Sequence, residues 1–162
     1  NKSKSEGVIN CLTNLSNEGF KLALSEFTVY ENLHGLWGKR AEAAAKILRK
    51  YEWKIVSSQV LSLASILGGL YHDAGYDKDR IGDGDKIIAS TALLEIGLIL
   101  TENHKDFPPP FFINYRNLPI TYTDSHHNRT IDLALYKPNL NLIARRIEEN
   151  EKRNNWFTLL LQ

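Results

Sequence analysis

The residues Ile81–Phe112, IGDGDKIIASTALLEIGLILTENHKDFPPPFF, decide the fold. The stretch opens on Gly82-Asp83-Gly84-Asp85 and passes into a run in which Ile87, Ile88, Ala89, Ala92, Leu93, Leu94 and Ile96 cover nearly every face of a helix. A helix that is apolar almost all round is buried on both sides. Gly97 is placed to end it in the left-handed conformation that follows a last helical turn. Leu98-Ile99-Leu100-Thr101 then reads as a short apolar strand, closed by Glu102-Asn103-His104. A buried helix that feeds a buried strand through one glycine predicts the αβ step of a doubly wound sheet. Such sheets carry their chemistry at the carboxyl ends of the strands, where Asn103 and Asp106 fall.

Working outward, Val8, Ile9, Leu12 and Leu15 form a stripe of helical period, with Ser3 or Ser5 as its cap. Phe20–Leu24 reads as a strand, Ser25 as the cap of a helix carrying Phe27, Val29, Tyr30 and Leu33, and Lys39–Tyr51 as an alanine-rich helix. The basic surface of that last helix is either a solvated face or a contact for a phosphate backbone. Trp53–Val56 predicts a strand and Gln59–Asp73 a long helix. The alternation predicts an α/β fold with a mainly parallel sheet flanked by helices.

Beyond Phe107 the pattern changes. Pro108-Pro109-Pro110 predicts an extended connector, and Phe111-Phe112-Ile113 an edge strand. Ile120–Thr123 and Thr130–Tyr136 predict a β-hairpin across Asp124–Arg129. Pro138 opens a final helix with Leu140, Ile143, Ala144 and Ile147 on its apolar face. Trp156–Leu161 fits a strand or a helix tail equally well.

At 162 residues with net charge +1, the chain predicts one domain that buries about 70% of the surface its unfolded form exposes. It has no global attraction for nucleic acid, so any such contact is local. One cysteine, Cys11, excludes an internal disulfide and fits a reducing compartment. No run of 18 apolar residues occurs, which predicts a protein off the membrane and in the cytoplasm. The sequence contains no methionine, which predicts a natural start upstream of Asn1.

The candidate chemistry lies at the junctions. Glu31 follows Ser25 and Thr28 on one helix, Asp85 sits in the first turn of the buried helix, and Asn103 and Asp106 follow the strand ending at Thr101. Carboxylates converging from separate elements suit a hard divalent cation, which takes one or two of them together with water and phosphate oxygens. Each also has a plain structural reading: Glu31 as a salt-bridged surface residue, Asp83 as a helix cap, Asp85 as a partner of the helix dipole. His126-His127 is an exposed hairpin tip, lacking a third ligand at metal spacing.

Three segments taken in order, Leu24–Gly35 (LSEFTVYENLHG), Asp83–Ala92 (DGDKIIASTA) and Leu100–Phe107 (LTENHKDF), resemble the PIN domain, and within it the VapC-like toxins of toxin–antitoxin pairs. The resemblance covers Glu6 to Phe112. It implies a PIN-like doubly wound domain over residues 1–113, its first strand and first aspartate upstream of Asn1, and an appended β-hairpin and helix over residues 114–162. It further implies a metal-dependent endoribonuclease that uses Mg²⁺ or Mn²⁺, with Glu31, Asp85 and Asp106 at the metal. Asn103 stands at the family's fourth acidic position and Thr101 at its strand-end hydroxyl. RNA as substrate, an antitoxin protein and a homodimer follow from the same resemblance. The alternative is a degenerate PIN-like module that binds RNA or protein without cutting.

Overall fold

The computed structural model describes residues 3–76, 81–124 and 126–154. Helix α1 (Lys4–Asn17) begins with a reciprocal cap in which the Ser3 hydroxyl accepts from the Glu6 amide and the Ser3 amide donates to the Glu6 carboxylate at 2.8 Å. Strand β1 (Ala23–Ser25) runs into α2 (Glu26–Leu33), with Ser25 capping the helix at Phe27 N. Helix α3 (Lys39–Leu48), strand β2 (Glu52–Lys54) and helix α4 (Ser58–Asp73) follow, the last capped by Ser57. Helix α5 (Asp83–Leu94) leads to β3 (Ile99–Thr101) and a 3-10 turn, His104–Asp106. The chain then forms β4 (Phe112–Asp124), β5 (His127–Pro138) and α6 (Leu140–Asn154).

These strands make two sheets. β1 and β2 pair in parallel from Ala23↔Glu52 to Ser25↔Lys54. A second sheet has the order β3-β5-β4 and is antiparallel throughout, with β3 entering at Ile99↔Tyr136 and Thr101↔Ala134. The doubly wound, mainly parallel PIN-like sheet with an appended hairpin is therefore not what forms among the described residues. Parallel pairing is confined to β1 and β2, and the C-terminal hairpin is built into the sheet that holds β3. The physical reason lies in the hairpin, which satisfies a long backbone ladder across a turn of minimal closure entropy. Its strand β5 then offers β3 a ready partner, and a short apolar run cannot itself distinguish a parallel from an antiparallel neighbour.

Two smaller expectations change with it. Helix α5 buries Ala89, Ser90, Thr91 and Leu93 but leaves Leu94 exposed, because cover is not continuous round it. Its last turn closes with Ile96 N–H to Leu93 O at 3.3 Å and Gly97 N–H to Ala92 O at 2.8 Å. The left-handed residue there is Ile96, at φ 52, and Gly97 is one place further on. The proline run, expected as an extended connector, folds into a turn in which Phe112 N–H donates to Pro108 O at 3.1 Å and Asn139 N–H to Phe111 O at 2.8 Å. That turn ties the start of β4 to the start of α6. Trp156–Leu161 lies outside the described residues.

One core joins the two halves of the chain. Leu67, Leu70 and Tyr71 of α4, Ala89 and Leu93 of α5, and Ile99 of β3 pack with Phe107, Phe112, Ala134, Tyr136 and Ile143. The rings of Phe107 and Phe112 meet edge to face at 5.6 Å, a favoured aromatic geometry. Among the described residues no helix is long and apolar enough to cross a membrane.

Helix α1 lies against the hairpin, tied by Arg116 Nη1 to Glu18 Oε2 at 2.7 Å. Its Gly7 is buried where a methyl would overlap the Ile120 side chain. Gly69, inside α4, has nothing within 4 Å of such a methyl. Gly7→Ala is therefore expected to lower stability by about 1–3 kcal/mol through overpacking. Gly69→Ala is expected to raise it by about 0.5–1 kcal/mol through helix propensity. Urea unfolding of the two variants checks both signs; equal effects would contradict the packing of α1 on the hairpin.

Candidate functional site

Two chain segments bring carboxylates within hydrogen-bonding reach, and a third places Glu31 near enough to act on Asp85 through its charge. Glu31 comes from the last turn of α2, Asp85 from the first turn of α5, and Asp106 from the turn that follows β3. Helix α2 is held over α5 by the Phe27 ring, which takes the space a side chain at Gly84 would need. It is also held by a buried hydroxyl pair, Ser25 Oγ to Thr91 Oγ1 at 3.5 Å. Thr91 in turn donates to Ile87 O at 2.8 Å, so its hydroxyl is fixed from within α5. On the other side β3 is pinned between α5 and β5, and the 3-10 turn drops Asp106 into the interior, where it is 4% exposed.

The electrostatics follow from that convergence. Burial raises the pKa of Asp85 from the ordinary 3.8 to about 6, and the like charges of Asp106 and Glu31 add to the rise. Asp106 also lies within hydrogen-bonding reach of Asp85, while Lys105 opposes the shift from nearby. Asn103 Nδ2 donates to Asp106 Oδ2, so the amide steadies the buried carboxylate from the exposed side. Tyr71 of α4 completes the surroundings. Its pKa is raised, first by burial and then by Asp85 and Asp106, and its hydroxyl is buried with no hydrogen-bond partner.

Of the residues expected at the site, Asp85, Asp106 and Asn103 are linked by hydrogen-bonding reach, while Glu31 acts on Asp85 only as a nearby like charge. Thr101 sits at the edge: its Oγ1 accepts from the Asn103 amide at 2.9 Å and shapes the turn that presents Asn103. Of the basic side chains near this place in the sequence, Lys105 acts on Asp85. Lys86 points away along Gly68, its side chain largely buried, and pairs with Asp83 at 2.9 Å. His104 Nδ1 meets Tyr136 Oη at 3.1 Å. Asp83 occupies the first turn of α5 rather than the cap position, which Gly82 takes.

Tyr71 is the residue that sequence reading misses. It lies in the apolar stripe of α4 beside Leu67 and Leu70, where a tyrosine reads as core. The available signal was its hydroxyl, since a buried phenol needs a partner and the stripe supplies none.

Hard oxygen donors with one lysine to offset them form a set that suits Mg²⁺ or Mn²⁺. Among the described residues, however, no group of three or more His, Cys, Asp or Glu side chains stands ready as a metal-holding arrangement. Asp85 and Asp106 lie within hydrogen-bonding reach of each other, which favours the protonated form of Asp85.

A pH prediction follows for the protein in chelating buffer. The value near 6 lies above the ordinary one, so the stability Asp85 contributes is full below pH 3.8 and is lost as pH rises through 6. Asp85→Asn is expected to melt higher than the parent at pH 7.5, with the gap narrowing steadily toward pH 4. A gap that is constant across this range would contradict the crowding of the three acids.

The chain is matched by no family model, by no curated protein and by no solved structure, so the reading of this site rests on its own residues.

Proposed function

We propose that the protein is a divalent-metal-dependent ribonuclease that hydrolyses phosphodiester bonds at the Glu31–Asp85–Asp106 cluster. The observation that carries this reading is the hydrogen-bonding approach of the half-buried Asp85 to the buried Asp106, with Glu31 bearing on Asp85 as a like charge. Crowded like charges cost stability, and a fold keeps such a cost where function uses it. The resemblance of the three quoted segments to PIN-domain ribonucleases points to the same residues.

In this reading Glu31, Asp85 and Asp106 would hold Mg²⁺ or Mn²⁺, which would supply charge to polarise the phosphoryl oxygens and ease deprotonation of water. Glu31 is exposed and free to turn toward the buried pair. The proton of the attacking water passes to bulk solvent, its loss made easier by the positive charge of the cation that Glu31, Asp85 and Asp106 would hold. The water oxygen bonds to phosphorus, one P–O ester bond breaks, and the departing oxygen takes a proton from solvent. Lys105 holds the phosphate that is attacked, and Asn103 keeps Asp106 in place. A cytoplasmic setting is supported by the single cysteine, Cys11, which is free. An antitoxin partner and a homodimer belong to the same proposal through the family resemblance.

A second reading, a module that binds RNA without cutting it, is favoured by one observation: no ready set of three ligands stands among the described residues. The two readings part in one experiment. With Mn²⁺ and a mixed RNA substrate the parent chain is expected to cleave, chelation to abolish cleavage, and Asp85→Asn or Asp106→Asn to lower the rate on the order of 10²–10³-fold. Retained RNA binding with no cleavage at any metal concentration would leave the binding module standing and remove the nuclease.

A further inference from the structure

The region from Glu31 to Gln59 contains no buried residue, although it holds a whole helix, a strand and four large exposed apolar side chains, Trp37, Ile47, Trp53 and Ile55. Trp37 is 87% exposed and Tyr30 57% exposed. A tryptophan so far in water is unusual, and a group of exposed rings marks a surface that something else covers. The backbone is built to hold it there. Gly35 at φ 76 and Gly38 at φ 55 bracket Leu36-Trp37 in conformations that a side-chain-bearing residue rarely adopts, so the turn between α2 and α3 projects the indole outward.

The rings form a series with a direction. Phe27 lies against Gly84, one residue from Asp85. Tyr30 follows at 6.0 Å and His34 at a further 5.3 Å, one helical turn apart along the same side of α2. The series thus begins beside the acidic cluster and runs toward solvent, with Trp37 just beyond its outer end in the chain. Past Trp37 comes the charge: Lys39–Lys50 carries five basic residues against one acid, Glu42, whereas the whole chain is only +1. Among the described residues none of the five makes an ion pair.

We propose that α2 and the α2–α3 turn form a single-stranded nucleic-acid track, in which Tyr30 and Trp37 stack nucleobases and the basic side of α3 holds the backbone phosphates. The inference rests on the nuclease reading for the direction of the strand, toward Asp85, and assigns that site an unpaired substrate. Exposed rings interleaved with cations are what a flexible, single-stranded polyanion needs, since every base has a face to stack and every linkage a charge. Bases within a duplex are already stacked and offer no face to the rings. A protein partner would be satisfied by the apolar side chains, but would leave the accumulation of positive charge without a counterpart.

Binding is tested apart from cutting by using the full chain carrying Asp85→Asn in chelating buffer, with a short oligouridine as probe. The oligomer is expected to quench tryptophan fluorescence, and Trp37→Phe to remove that quenching. Trp37→Ala and Tyr30→Ala are each expected to weaken binding about tenfold, the scale of one stacked base. Affinity is expected to fall steeply with salt, and an RNA duplex of equal length to bind at least tenfold more weakly. Since both rings are exposed, circular dichroism of the alanine variants is expected to match the parent. Oligouridine binding that is indifferent to Trp37, equal binding of the duplex, or self-association in light scattering that Trp37→Ala abolishes would each overturn the track. Quenched binding by a chain that never cleaves RNA would keep the track and remove only the nuclease reading.

Discussion

Two carboxyl groups from different elements, the buried Asp106 and the half-buried Asp85, are brought within hydrogen-bonding reach of each other, and the packing of α5 and β3 holds them there. Neither could stay by attraction. Asp106 is carried in by the 3-10 turn after β3, Asp85 by the first turn of α5, and both elements are locked into the core through Leu93, Ile99, Phe107 and Tyr136. The apolar burial of those side chains is worth about 1.5–3 kcal/mol each, enough in sum to outweigh the repulsion. The cluster is thus a local debit carried by packing, and the same packing leaves the Tyr71 hydroxyl stranded beside it.

The antiparallel sheet explains why the arrangement is rigid on one side and open on the other. β5 lies between β3 and β4 and presents Ala134 and Tyr136 to the core, so the strand that delivers Asn103 and Asp106 is clamped along its length. Glu31 arrives from the other direction, on a helix whose outward face and following turn are bare. A site fixed at its floor and exposed at its rim suits a ligand that enters from the α2 side.

Much of this could be read from the chain itself. Ser25 announced a helix start by the chemistry of capping, as did the pair Ser3 or Ser5, and Asp85 and Asp106 were legible as acids at a helix start and after a strand end. What could not be read was pairing. Leu98–Thr101 says that a buried strand is present, but says nothing of its partner, because that choice depends on the hairpin of residues 112–138 satisfying its own backbone first. Gly97 looked like the helix terminator because glycine tolerates a left-handed backbone at no steric cost, yet Ile96 takes that conformation and the glycine follows it. Tyr71 stayed hidden since a tyrosine and a phenylalanine make the same periodic pattern, and only the position of Asp85 and Asp106 across the core gives its hydroxyl a meaning.

The most direct measurement is the titration of the Asp85 carboxyl carbon by nuclear magnetic resonance in the metal-free protein, repeated with Asp106→Asn and with added Mg²⁺. The account predicts a midpoint near 6, a lower one once Asp106 is neutral, and a further fall when Mg²⁺ is present. A midpoint in the ordinary carboxylate range that neither the substitution nor the cation moves would mean that the two acids do not share a site.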